Sequence, residues 1–167
     1  MKKLVLISGA PGVGKTTLCS HLFKEIQGCA WLDSDWCWMI NPWKAKTKEQ
    51  KKYVEDTFTR ILRGYLNNED INTVLFSWVM SSPRMFGIIT EALVDIKFDL
   101  YKIALVCDRD AHIKRMRLDK RRNEQVELPD SMEPYYHLGA EVIDVSTTPI
   151  EDVVQRVIYI LNKNKGE

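Results

Sequence analysis

Gly9-Ala10-Pro11-Gly12-Val13-Gly14-Lys15-Thr16 is the stretch on which the reading of this chain turns. It fits G-x-x-x-x-G-K-[ST], a glycine-rich turn whose backbone N–H groups close around a polyphosphate. The pattern carries weight only between a strand and a helix. That setting is present: the apolar run Lys3–Ser8 precedes it, and a helical stretch from Lys15 to about Gln27 follows. Gly12 and Gly14 keep side chains out of the ligand's approach, and the helix start adds partial positive charge. The Lys15 ammonium can reach the β- and γ-phosphates of a triphosphate, and the Thr16 hydroxyl can coordinate Mg2+. Gly9, Ala10, Pro11, Val13 and Thr17 complete the expected contact surface. The plain alternative is a structural glycine turn.

On either side of this loop, short runs rich in Val, Ile and Leu alternate with stretches of helical period, the pattern of a parallel sheet covered on both faces. The expected strands are Lys3–Ser8, Ala30–Leu32, Asn72–Ser77, Lys102–Cys107 and Glu141–Val145. Thr47-Lys48-Glu49-Gln50 has capping-box spacing and opens a helix to about Leu66. Ser82-Pro83 and Thr148-Pro149-Ile150-Glu151 combine a cap residue with a first-turn proline and open two more. Asp110–Asn123 is helical and strongly basic, Glu124–Pro129 is a loop, and Asp130–Leu138 a short helix. The expected fold class is α/β: a three-layer α/β/α sandwich on a five-stranded parallel sheet, in one domain spanning 1–167.

Composition narrows the function classes. The 167 residues, 45% hydrophobic and 28% charged, suit one soluble globular unit. A net charge of +1 lacks the overall basic field of a dedicated nucleic-acid binder. Cys19, Cys29, Cys37 and Cys107 show neither C-x-x-C spacing nor a paired His cluster, so a zinc site and a disulfide framework are not expected, and a cytoplasmic setting is. Lys2-Lys3 before Leu4–Ile7 imitates the start of a signal peptide, but the apolar run is too short. No run approaches the roughly 18–20 apolar residues of a membrane span. His21, His112 and His137 lack ligand spacing and are assigned ordinary packing or surface roles. No obligate protein partner is evident.

A guanine-nucleotide switch would carry N-K-x-D, which is absent. A mechanical ATPase usually places an acid after the strand beside the loop, whereas Thr73–Phe76 leads into Ser77-Trp78. The acidic pair is Asp33 and Asp35, in Trp31-Leu32-Asp33-Ser34-Asp35. If the chain stays extended there, both carboxylates face the crevice beyond the strand ends. One would help hold Mg2+, and the other would orient and deprotonate an acceptor hydroxyl. The alternative is a solvated or helix-capping Asp pair.

With these features together, the chain resembles the P-loop kinase superfamily, the branch of nucleoside and nucleotide kinases, gluconate and shikimate kinases, polynucleotide kinases and antibiotic phosphotransferases. The likeness rests on Gly9–Thr17, Leu32-Asp33-Ser34-Asp35-Trp36, the basic helix after the fourth strand, and Ile143–Pro149. Trp31–Trp43 and Phe76-Ser77-Trp78-Val79 resemble a group of small bacterial nucleotide kinase-like proteins. The resemblance implies ATP and Mg2+ as cofactors, and it favours Asp35 as catalytic base with Asp33 and Thr16 on the metal side. It places a lid at about 110–130. Arg115 or Arg117 matches the position that lies against ATP, and Arg121 or Arg122 the lid arginine that stabilises the transferring phosphoryl group. The Ser146–Pro149 turn, Pro149 included, resembles the loop that packs on adenine, and Arg109 could also approach the base. A charge run is equally a solvated face.

Trp36, Trp38, Met39 and Trp43 cluster beyond Asp35, and Trp78 follows the neighbouring strand, which suits a flat or ring-shaped acceptor as well as simple core packing. Arg84 could pair with a phosphate on that acceptor. The run Lys44, Lys46, Lys48, Lys51, Lys52 is read as helix surface. The expected activity is Mg-ATP-dependent transfer of a γ-phosphoryl group to a small-molecule acceptor: a nucleoside, nucleotide, sugar or antibiotic-like hydroxyl. Two alternatives stand beside it: a 5′-polynucleotide kinase, and a nucleotide-dependent regulatory protein that transfers nothing.

Overall fold

Leu4, Val5, Leu6 and Ile7 are all fully buried, so the strand that carries them must be covered on both faces. The computed structural model describes residues 1–41, 47–118 and 132–163. In it, β1 (Lys2–Gly9) is central in a five-stranded sheet with β2 (Cys29–Asp33), β3 (Thr73–Ser77), β4 (Phe98–Val106) and β5 (Glu141–Asp144), in the order β2-β3-β1-β4-β5. All four pairings are parallel. The described helices are α1 (Lys15–Glu25), α2 (Ser34–Cys37), α3 (Lys48–Asn67), α4 (Pro83–Ala92), α5 (Arg109–Leu118), α6 (Glu133–Tyr136) and α7 (Ile150–Lys163).

The period of two along each strand sorts the core into two layers. Leu4, Leu6, Val74, Phe76 and Ala104 pack with Phe58 and Leu62 of α3 and with Phe86 and Ile89 of α4. Val5, Ile7, Leu75, Ile103 and Leu105 pack with Leu18 and Leu22 of α1 and with Val153, Val157 and Leu161 of α7. The fold is therefore the expected three-layer α/β/α sandwich of a P-loop NTPase. Its strand order reverses around β1, which opens a crevice beyond the C-terminal strand ends. Among the described residues no helix is long and apolar enough to cross a membrane.

The capping box forms as its spacing predicts: Gln50 N–H donates to Thr47 Oγ1 at 3.2 Å, and Thr47 N–H donates to Gln50 Oε1 at 3.1 Å. Pro83 opens α4 after Ser82, although the Ser82 side chain makes no capping bond. Other boundaries move. β4 begins at Phe98, not Lys102, because it pairs with β1 from Lys2↔Phe98 to Gly9↔Leu105. Asp99 and Lys102 hide that ladder in the sequence pattern, since pairing with a central strand outweighs local apolarity. α6 covers only Glu133–Tyr136 of the helix expected over Asp130–Leu138; Asp130 lies outside the described residues. The basic helix is described as far as Leu118, and Lys120, Arg121, Arg122 and the Glu124–Pro129 loop lie outside them.

Candidate active site

Gly9 ends β1 with φ +152°, and a Cβ there would sit 2.7 Å from Val13 Cγ1 and 2.9 Å from the Leu105 carbonyl oxygen. The chain turns through Ala10–Val13, where Val13 N–H donates to Ala10 O at 3.2 Å, and enters α1 through Gly14. Gly12 adopts φ +78°, and a Cβ on it would collide with Met116 Sδ. Lys15 Nζ folds back over this loop and donates to Gly9 O at 2.8 Å and to Ala10 O at 2.9 Å. Its ammonium is thereby held above the cradle of amides.

α5 braces the loop from outside. His112, 3% exposed, has Nε2 2.7 Å from Pro11 O. A carbonyl only accepts, so Nε2 is the donor in this contact. Arg115 Nη1 donates to Val13 O at 3.1 Å, and Nη2 donates to Val145 O just beyond β5. Residues 112, 115 and 116 share one helix face, so a single helix secures three points of the loop. Arg115 does line the crevice, as the sequence suggests, but it is also a strut between backbone segments. His112 has the packing role expected of it, and no spacing in the sequence points to its loop contact.

Across the crevice, Asp33 ends β2. The chain does not remain extended to Asp35: Asp33 caps α2, with Oδ1 accepting from Asp35 N–H at 3.0 Å. The strong N-cap preference of Asp overrides strand continuation here. Both residues nevertheless line the crevice. Asp33 is buried and its Oδ2 accepts from Thr16 Oγ1 at 3.1 Å, whereas Asp35 is exposed. A hydroxyl and a carboxylate converging beside a polyphosphate cradle are the hard oxygen donors that Mg2+ takes. Among the described residues no group of three His, Cys, Asp or Glu could hold a metal ion.

The crevice holds about 870 Å³, in the upper part of the range for small-molecule sites. Its far wall is Leu105, Leu118, Val145, Thr148, Ile150 and Val153. A hydrogen-bonded turn orders that wall. Asp144 Oδ1 accepts from Ser146 Oγ at 2.6 Å and from Ser146 N–H at 2.8 Å, and Ser146 Oγ accepts from Asp108 N–H at 2.8 Å. The Ser146 hydroxyl and then its N–H hold the Asp144 carboxyl below the usual carboxylate range. Thr148 and Ile150 reach the crevice, while Pro149 between them is not part of its lining; its carbonyl accepts from Val153 N–H in the first turn of α7.

The structure places several other candidates away from the lining. Gly9 and Ala10 are buried behind the lining and serve through their carbonyls. Arg117 borders a separate depression with Asp110, Ile113, Lys114 and Leu118, because it is two residues from Arg115 on a helix and so faces elsewhere. Arg84 is exposed on α4 and Arg109 exposed at the start of α5, both outside the lining. Trp36 is also outside it, its ring 5.0 Å from that of Trp31. Trp78 lines the crevice instead, its ring 5.1 Å from Phe58 and 6.3 Å from Phe76. Trp43, Lys44, Lys46, Arg121 and Arg122 lie outside the described residues. All four cysteines are free, and burial pushes each thiol up, Cys29 to about 12.

A family model described as AAA domain matches residues 5–133. No curated protein matches the chain. Solved structures share its fold at low identity. A tunicamycin resistance protein from Deinococcus radiodurans superposes with TM-score 0.68 at 15% identity, covering 96% of both chains. The APS kinase of Mycobacterium tuberculosis, in complex with AMPPNP and APS, gives TM-score 0.68 at 15% identity over 96% of this chain and 98% of its own. A shikimate kinase from Acinetobacter baumannii, in complex with shikimate, gives 0.65 at 21% identity over 100% and 96%.

Proposed function

Given that the chain belongs to the AAA domain family, we propose that it is a Mg-ATP-dependent phosphotransferase that moves the γ-phosphoryl group to a small-molecule hydroxyl. The observation that carries this reading is the grouping of Lys15, Thr16, Asp33 and Asp35 on one crevice with room for a nucleotide and a second small ligand. The kinases among the structural neighbours support it.

In this mechanism the backbone N–H groups of Gly12, Gly14, Lys15 and Thr16 and the Lys15 ammonium bind the triphosphate. Lys15 exchanges its bonds to Gly9 O and Ala10 O for phosphate oxygens. Thr16 Oγ1 and Asp33 Oδ2, 3.1 Å apart, would hold Mg2+. When bound, the ion would neutralise charge on the β- and γ-phosphates. Asp35 orients the acceptor hydroxyl and takes its proton as the new O–P bond forms and ADP leaves. Arg115 fixes the loop against the wall where Thr148 and Ile150 meet the nucleoside. Arg121 or Arg122 would stabilise the transferring group.

Calorimetry with a non-hydrolysable ATP analogue and Mg2+ tests the first half of the proposal, and ADP release across an acceptor panel tests the second. Analogue binding without transfer to any acceptor would favour a regulatory nucleotide-binding protein.

A further inference from the structure

The strand beside the phosphate loop ends in Ser77, the place where a mechanical ATPase would carry its metal-side acid. Ser77 is fully buried and is not part of the crevice lining, so it acts only through its neighbours. Its side chain lies on the α1 face of the sheet, two residues along β3 from Leu75. There the hydroxyl has two partners. Trp31 Nε1–H donates to Ser77 Oγ at 3.3 Å, and the Cys19 thiol of α1 hydrogen-bonds with the same hydroxyl. Trp31 stands two residues before Asp33 on the same side of β2, and Cys19 stands one turn after Thr16 on the same face of α1. One buried hydroxyl therefore ties together the two elements whose ends carry Asp33 and Thr16. The gap that it backs is the 3.1 Å between Thr16 Oγ1 and Asp33 Oδ2. Adjacent corners of an octahedron with Mg2+–O bonds of ~2.0–2.1 Å lie about 2.9 Å apart, whereas Ca2+–O bonds of ~2.3–2.6 Å spread them to about 3.3–3.7 Å.

We propose that Ser77, held by Trp31, is a positioning residue that sets the Thr16–Asp33 gap and thereby selects Mg2+ over larger divalent cations. The inference rests on the phosphotransferase reading above and goes beyond it by assigning the metal preference to a residue outside the crevice. A serine is small enough for Asp33 to reach past β3 to Thr16, and its bonds resist the widening that a larger ion demands. Mg2+ tolerates departure from octahedral geometry poorly and Ca2+ tolerates it well, so loosening this clamp costs the smaller ion more.

Calorimetry of the non-hydrolysable ATP analogue with the whole protein, in excess Mg2+, in excess Ca2+ and in EDTA, tests this without an acceptor. The wild type should bind the analogue more tightly in Mg2+ than in Ca2+. Ser77→Ala should weaken binding in Mg2+ by about tenfold or more while affinity in EDTA stays within about twofold, and the preference for Mg2+ over Ca2+ should narrow by about threefold or more. Trp31→Phe keeps an aromatic ring but removes the donor, and should give the same metal-dependent loss. Ser77→Ala leaves the indole N–H without its partner and should also lower the urea midpoint. The double variant removes donor and acceptor together. It should regain part of that midpoint but none of the Mg2+ preference, its loss in Mg2+ matching that of Ser77→Ala within about twofold. An equal loss in Mg2+, Ca2+ and EDTA overturns the proposal, as does a Mg2+ preference that returns with stability in the double variant. So does an unchanged preference in Ser77→Ala. Absence of analogue binding by the wild type in all three conditions overturns the phosphotransferase reading, and the proposal with it.

Discussion

Thr16 Oγ1 donates a 3.1 Å hydrogen bond to Asp33 Oδ2, although β3 stands between the strands that lead to the two residues. The bond spans the sheet because the intervening strand ends in Ser77, a small and fully buried residue in register with Asp33 on one side and Ile7 on the other. On the proposed mechanism this arrangement gives the two acids separate roles. Asp33→Asn keeps the α2 cap, since Asn caps as well as Asp, but removes the charge beside Thr16. Its expected effect is an Mg2+ requirement raised by about tenfold or more. Asp35→Asn should instead lower kcat by about 10²–10⁴ with analogue affinity nearly retained. Magnesium titrations of ADP release check both, and the opposite pattern would exchange the roles.

Lys15→Ala should lower turnover by at least about 10²–10³ and weaken analogue binding, because its ammonium lies over the loop on Gly9 O and Ala10 O, whereas the Arg115 guanidinium is engaged by Val13 O and Val145 O. The fold should survive, since the carbonyls of Gly9 and Ala10 need only exchange Lys15 for water. Circular dichroism alongside the kinetic assay checks this, and near-normal turnover would refute the assignment.

Gly12→Ala places a side chain at φ +78° and against Met116. The backbone strain costs roughly 1–2 kcal/mol. Because Met116 Sδ is the flexible end of its side chain, the double variant with Met116→Ala should recover the steric part of the loss and none of the strain. Urea unfolding of the three variants measures the difference.

Arg115→Ala and His112→Ala should each destabilise the protein by about 1–3 kcal/mol and weaken nucleotide binding, since each removes a donor from a loop carbonyl. Acting on one loop, they should couple, with a double-mutant deviation above about 0.5 kcal/mol. Strict additivity would show that α5 does not brace the loop as a unit.

Asp144 has a folded-state pKa below its ordinary value, so its bonds to Ser146 add stability above the usual carboxylate range and lose it as the pH falls through the folded-state value. Asp144→Asn should therefore lower the urea midpoint at pH 7, and the gap from the wild type should close as the pH falls below the usual carboxylate range. A gap that persists in acid would assign the effect to shape rather than charge.

The readability of the chain varied with how local each cause was. The capping box at Thr47–Gln50 and the first-turn proline at Pro83 formed as their spacing required, because caps depend on neighbours three or four residues away. β4 began four residues earlier than its apolar run, because β1 recruits Phe98–Tyr101 from nearly a hundred residues away. Asp33 and Asp35 were legible as a pair, but not the helix turn between them. Of the two tryptophans named beside the acidic pair, Trp36 packs its ring on Trp31 and Trp78, from another strand, is part of the crevice lining.

The eight residues from Gly9 to Thr16 were sufficient to establish the cradle and, with the alternating apolar runs, the layered sheet, since both arise from backbone preference and short-range periodicity. Tertiary packing alone brought Asp33 to Thr16, His112 and Arg115 to the loop carbonyls, and Trp78 to the crevice lining. Those contacts depend on strand order and helix rotation, which are set by the summed burial of the whole core and leave no signature in any short stretch of the chain.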